Sequence, residues 1–117
     1  MLTLSPKTRI YLHLPPTDMR KSFDGLTGLV RSVFRADPVE GNWFLFLNRR
    51  RDRIKILYWD RDGMALWYKR LSSGTFEQLR AADGAATVEI DATQLTLLLS
   101  GVTLESAHRR RRFSRAA

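Results

Sequence analysis

Cations and flat rings are interleaved in Asn48–Arg70, NRRRDRIKILYWDRDGMALWYKR, and this mixture suits one kind of chemistry. Eight Lys/Arg stand there against three Asp, with Tyr58, Trp59, Trp67 and Tyr68 among them. Cationic side chains neutralise phosphates and release their counterions, while aromatic faces stack on bases. Arg49, Arg50, Arg51 and Arg53 are placed to crown a hairpin tip, with Lys55, Lys69 and Arg70 as further phosphate contacts. Three adjacent arginines beside further bases repel one another, which argues for an anionic partner. The tryptophans are more ordinary. Aromatics in strands usually pack, so Trp59 and Trp67 are better explained by a second small core or a subunit contact. With Trp43 they are also the candidate anchors for a protein partner, since Trp is frequent among binding hot spots.

Two further groups of bases are candidates. Arg20 and Lys21 follow Pro16-Thr17-Asp18-Met19 at the start of a helical pattern, where free N–H groups favour anions. Asp18 puts a carboxylate in that position, so an ordinary helix cap is the better reading. Arg109, Arg110, Arg111 and Arg112 begin a basic arm with Arg115. Such an arm strengthens binding to any polyanion and adds little specificity.

Catalytic chemistry is poorly served. There are no cysteines and only two histidines, His13 and His108. Thiolate zinc sites, disulfides and cysteine nucleophiles are thereby excluded. Asp60 and Asp62 flank a turn but lack the further oxygen ligands of a calcium loop. No glycine-rich phosphate loop and no nucleophile–base pair is present. The expectation is a non-enzymatic protein with no cofactor and no metal.

The chain that must position these groups has 117 residues, 44% of them hydrophobic, with a net charge of +8 and a pI near 10.8. It predicts a single α+β domain over 1–108 followed by a basic flexible tail over 109–117. Charge is uneven: residues 49–70 carry net +5 and residues 71–108 net −4. No apolar run approaches the roughly 18 residues of a spanning helix, so a cytoplasmic, nucleoid-associated protein without membrane contact is expected. Residues 9–14 alternate as a strand, closed by Pro15-Pro16. Thr17 reads as the N-cap of a long helix with Met19, Phe23, Leu26, Val30 and Val33 on one stripe. Residues 42–48, 53–60 and 64–71 read as consecutive strands of an antiparallel meander, with a turn at Arg61-Asp62-Gly63. Ile54, Ile56 and Tyr58 would face one way, and Lys55, Leu57 and Trp59 the other. Residues 88–90 suit a short strand. Asp91 with Gln94 forms a capping box, Ile90 and Leu95 a staple, and Gly101 a C-terminal stop for a short helix. The sum is an antiparallel sheet of about four strands with one long helix packed on a face and a short C-terminal helix. Lys55, Trp59, Trp67 and Lys69 would lie on the face away from the long helix.

The strings PTDMRKSFDGL at 16–26, DPVEGNWFLFLNRRRDRIKILYWD at 37–60 and GMALWYKRLSSGTF at 63–76 resemble one family. It is that of the small accessory protein of bacterial insertion sequences of the IS66 type, often called TnpB and unrelated to the RNA-guided nuclease of that name. The resemblance spans about residues 9–104. It implies a role in transposition beside a separate, larger DDE-type transposase and a second small accessory protein. It brings no catalytic residues. The positions that match include Asp18, Met19, Arg20, Lys21, Asp24 and Gly25, then Asn48, Arg53, Lys55, Trp59, Gly63, Lys69 and Arg70. Asp24 and Gly25 are expected to be structural and the bases functional. The leading reading is a DNA-binding accessory factor, with the element ends as a candidate target. The rivals are a protein–protein adaptor for the transposase, touching DNA only weakly, and a metal-dependent nuclease using Asp60 or Asp62.

Overall fold

The structure, a computed structural model, describes residues 4–102. Strand β1 (Ile10–His13) ends just before the two prolines that lack ladder donors. The chain crosses over through α1 (Phe23–Leu29), which continues as one π-helical segment, Val30–Phe34. A 3-10 turn at Pro38–Glu40 follows, capped by the Asp37 carboxylate and closed by Gly41 at φ 89°. Then come β2 (Trp43–Leu47), β3 (Arg53–Asp60), β4 (Gly63–Arg70), β5 (Thr87–Ile90) and α2 (Ala92–Ser100).

These strands form one sheet in the order β4-β3-β2-β1-β5. It is mostly antiparallel, as the short links between consecutive strands implied, but it has five strands and one parallel pair. Ile10 lies beside Trp43 and His13 beside Phe46, so β1 and β2 run the same way. A parallel neighbour needs a long crossover, and the segment carrying α1 supplies it. The meander is confined to β2, β3 and β4.

The long helix from Thr17 is not what forms. Thr17 is 5% exposed, and its N–H donates to the Leu47 carbonyl at 2.8 Å. Its Oγ1 is buried without a hydrogen-bond partner, so it caps no helix N–H, and the chain turns at Met19 and Arg20 before the helix begins. The N-cap is Ser22, whose side chain makes no capping bond, and α1 has seven residues before the π-helical five. Arg35 ends the element in the left-handed region, φ 53°. Leu26 and Val30 are buried as the stripe required, whereas Phe23 is 44% exposed. Gly25 is a close-approach position: a Cβ there would lie 3.2 Å from the stem of Lys21.

Both faces of the sheet are covered. On one, α1 closes over Phe44, Phe46 and Leu57, with Phe34 set edge-on against both phenylalanines. On the other, Trp43, Leu45, Ile54 and Ile56 pack with Phe76, Leu95 and Leu98. This is why all five residues of β2 are buried, a pattern typical of strands with two covered faces. The capping box of α2 is present in both directions, Gln94 N–H to Asp91 and Asp91 N–H to Gln94, and Gly101 closes the helix at φ 84°. Ile90 and Leu95 are both buried at the staple positions.

Candidate nucleic-acid interface

The topology gathers distant bases at one end of the sheet. β1 and β2 finish there, β3 begins there, and β4 finishes there. Three connections meet at this end: residues 14–22, 48–52 and 71 onward. They carry Arg20 and Lys21, Arg49 to Arg51, and lead from Lys69 and Arg70. Arg53 and Arg70 are direct cross-strand partners. A groove bounded by Asp18, Met19, Arg49, Arg50, Asp52 and Arg53 lies where the first two connections touch.

Asn48 builds the turn that presents the arginines. Its Oδ1 accepts from the N–H groups of Asp52 and Arg53 at 3.1 and 3.0 Å, and its Nδ2 donates to the Asp52 carboxylate at 2.6 Å. Arg51 takes the left-handed conformation, φ 57°. Its carbonyl accepts from Phe76 N–H at 2.7 Å, and Asp52 O accepts from Leu71 N–H at 2.7 Å. The turn is thus fixed on both sides. Arg49 and Arg50 remain exposed. Arg51 is half-buried, and its Nε is buried without a hydrogen-bond partner beside a cavity of about 50 Å³. A buried guanidinium N–H left unpaired is uncommon.

Lys55 is a different kind of residue. It is 5% exposed and lies on the α1 face. Its ammonium donates to the carbonyls of Met19 and Lys21 at 2.8 and 2.7 Å and sits 4.6 Å from the centre of the Tyr68 ring. All of this capacity is spent inside the protein, clasping the 19–21 connection to β3. Burial removes Lys55 from the surface that the other bases share.

Arg20 is partly committed too. The Asp18 carboxylate accepts from its backbone N–H at 2.9 Å and its Nη2 at 2.7 Å, with Nε also in reach. These bonds pull the Asp18 carboxyl down to about 2, chiefly through the Arg20 side chain. Asp18 is therefore neither a first-turn residue nor an empty anion position; it folds the connection around Arg20.

The aromatics that interleave with the bases in sequence separate in space. Lys55 and Trp59 share the α1 face, while Trp67 and Lys69 share the other, so the expected common face does not exist. The reason is the second core: Ile54 and Ile56 alternate with Lys55 and need cover. Trp43 is 4% exposed, its ring 5.3 Å from that of Tyr58, and is no free anchor. Trp59 is half-buried near the far hairpin, with Nε1 bonded to the Arg61 carbonyl at 3.1 Å. Trp67 is half-buried against the core. The ring that does reach the basic end is Tyr68, 47% exposed, its hydroxyl accepting from Arg53 at 3.2 Å. Sequence reasoning did not select it; the pairing of Lys55 with Tyr68 was needed to place it. Arg109, Arg110, Arg111, Arg112 and His108 lie outside the described residues. Among the described residues there is no group of three His, Asp or Glu that could hold a metal, and no helix is long and apolar enough to cross a membrane.

A five-stranded α+β fold with its sheet covered on both faces, and with bases from three connections brought to one end, defines a small protein whose notable chemistry is a charged surface. The chain belongs to the IS66 Orf2-like protein family, whose model matches residues 8–109. Two proteins of Sinorhizobium fredii (strain NBRC 101917 / NGR234) are similar to it. Y4jC is 37% identical over 102 residues, 87% of this chain and 86% of the relative. Y4hO is 35% identical over 102 residues, 87% of each chain. Both are described only as uncharacterised proteins. No solved structure matches the chain. The family is one of accessory proteins of IS66 elements, which associates the chain with transposition and with no known enzyme class.

Proposed function

We propose that this accessory protein acts in transposition by binding duplex DNA through the basic end of its sheet. The observation that carries the reading is convergence: bases from residues 20–21, 49–53 and 69–70, far apart in sequence, are brought to one end by three separate connections. Arg49, Arg50, Arg53, Lys69 and Arg70 contact phosphates and Lys21 adds to them, while Arg51 contributes less because its Nε is buried and Arg20 less because Asp18 holds it. Tyr68 offers a ring beside the cations for a sugar or an unstacked base. The work is done beside a transposase and requires no reaction at this site. Binding of this kind is salt-sensitive, because each neutralised phosphate releases counterions.

The test is fluorescence anisotropy on an element end carrying its terminal repeat and on a shuffled duplex, across a salt series. Tighter binding to the end, persisting at moderate salt, makes the element ends the target. Equal, steeply salt-dependent binding makes the basic end a general grip, with specificity left to the transposase. Absence of binding to both at low salt overturns the proposal and leaves the adaptor reading, whose surface excludes the buried Trp43.

A further inference from the structure

β4 is an edge strand of eight residues, in unbroken register with β3 from Gly63 to Arg70 and free of proline. Among the described residues no strand pairs with its outer side. The opposite edge, β5, has only four residues. A long, regular edge is a template for another strand. Leu71 N–H donates to Asp52 O, so Asp52 and Leu71 form a hydrogen-bonded pair. Alternation along the ladder then turns the N–H and C=O groups of Met64, Leu66, Tyr68 and Arg70 outward.

We infer that β4 pairs antiparallel with β4 of a second copy, about a two-fold axis at Leu66. This register sets outward-facing residues against one another: Leu66 against its own counterpart, and Met64 against Tyr68. On the other face Ala65 meets Trp67, a small residue against a large one. At the ends Asp62 meets Arg70. Ala65 and Trp67 are complementary in size, Asp62 and Arg70 in sign, and the Leu66 and Met64–Tyr68 pairs are apolar contacts. The half-buried Met64, Leu66 and Trp67 and the exposed Tyr68 gain cover. Arg70 already faces Arg53 within the sheet, a like-charge pairing that is unfavourable in a ladder. A carboxylate arriving on its other side offsets that repulsion. Parallel pairing would instead stack the Lys69-Arg70 ends on one another. The interface is isologous, closes at two copies and removes the exposed edge.

One consequence rests on the DNA-binding reading above. The two basic ends fall at opposite ends of a continuous ten-stranded sheet, so the dimer would hold two separate duplex segments through Arg49, Arg50 and Arg53, with Tyr68 and Arg70 taken up by the seam. The dimer itself does not need that reading, and its test contains no DNA.

Analytical ultracentrifugation of the full chain, from micromolar to near-millimolar, measures the assembly directly. The inference expects a monomer–dimer equilibrium. Reversing one exposed charge, Asp62→Arg or Arg70→Asp, should weaken it about tenfold, because each reversal acts twice per dimer and replaces attraction with repulsion. The double variant Asp62→Arg/Arg70→Asp should restore it, which a merely misfolded variant could not do. Amide exchange should slow at Leu66 and Tyr68 as concentration rises. A monomer at every concentration overturns the inference, whether β4 stays open or is covered by residues 103–117. A dimer indifferent to both reversals overturns it equally.

Discussion

Lys55 shows how residue type and role part company. A lysine between arginines reads as a phosphate contact, but its position in β3 turns it inward, where two carbonyls and a ring take its ammonium. Lys55→Met should keep the stem and orphan both carbonyls, lowering stability by about 1–3 kcal/mol in denaturant unfolding. Unchanged stability would show the clasp to be idle. Asp18 and Arg20 are mutually engaged at the surface. The folded Asp18 carboxyl is depressed to about 2, so its contribution is present above 3.8 and lost as pH falls through about 2. An NMR titration of Arg20→Ala should return Asp18 toward 3.8; no change would remove Arg20 as the cause. His13 is buried between the rings of Phe34 and Phe46, and desolvation lowers its pKa from 6.5. The unfolded chain therefore binds the proton first. His13 favours the fold fully above pH 6.5, and that contribution declines as pH falls through the lowered value. His13→Phe should flatten this part of the stability–pH curve; an unaltered curve would exonerate His13.

At the scale of elements, local chemistry was legible where one segment contained all of it. The capping box and stop of α2 lie within Asp91–Gly101, and the Asp60–Gly63 hairpin within four residues. Asp91→Ala should cost about 1 kcal/mol by loss of the cap, measured by thermal unfolding. What was not legible depended on partners far away. Thr17 has the composition of an N-cap, but it is held buried at the end of β2 with its hydroxyl capping nothing, and the helix begins at Phe23. The parallel β1–β2 pair was invisible because direction is set by the crossover, not by either strand. The turn after β2 hinges on Asn48, whose side chain serves two N–H groups of residues 52 and 53. Asn48→Ala should destabilise the protein by about 1–3 kcal/mol through those orphaned donors and loosen the arginine tip. Equal stability would mean that the backbone alone holds the turn.

For the whole molecule, the sequence correctly signalled an α+β fold and the family, while the location of the charge came from topology. A basic face was expected because cations and aromatics alternate along β3 and β4. Those strands instead lie between two cores, and the cations emerge where strands end. Arg31, Arg35 and Arg61 are exposed, as Arg49 and Arg50 are, but belong to the end of the α1 crossover and the far hairpin. They provide a matched control for net charge. The decisive measurement compares DNA affinity and its salt dependence for two triple variants of equal charge. One is Arg49→Gln/Arg50→Gln/Arg51→Gln, the other Arg31→Gln/Arg35→Gln/Arg61→Gln. A large loss is expected for the first, with the slope of log affinity against log salt reduced by about 0.9 for each phosphate contact removed, and little change for the second. Equal losses would mean that the protein binds through its overall charge, and that the convergence at one end of the sheet is not its DNA site.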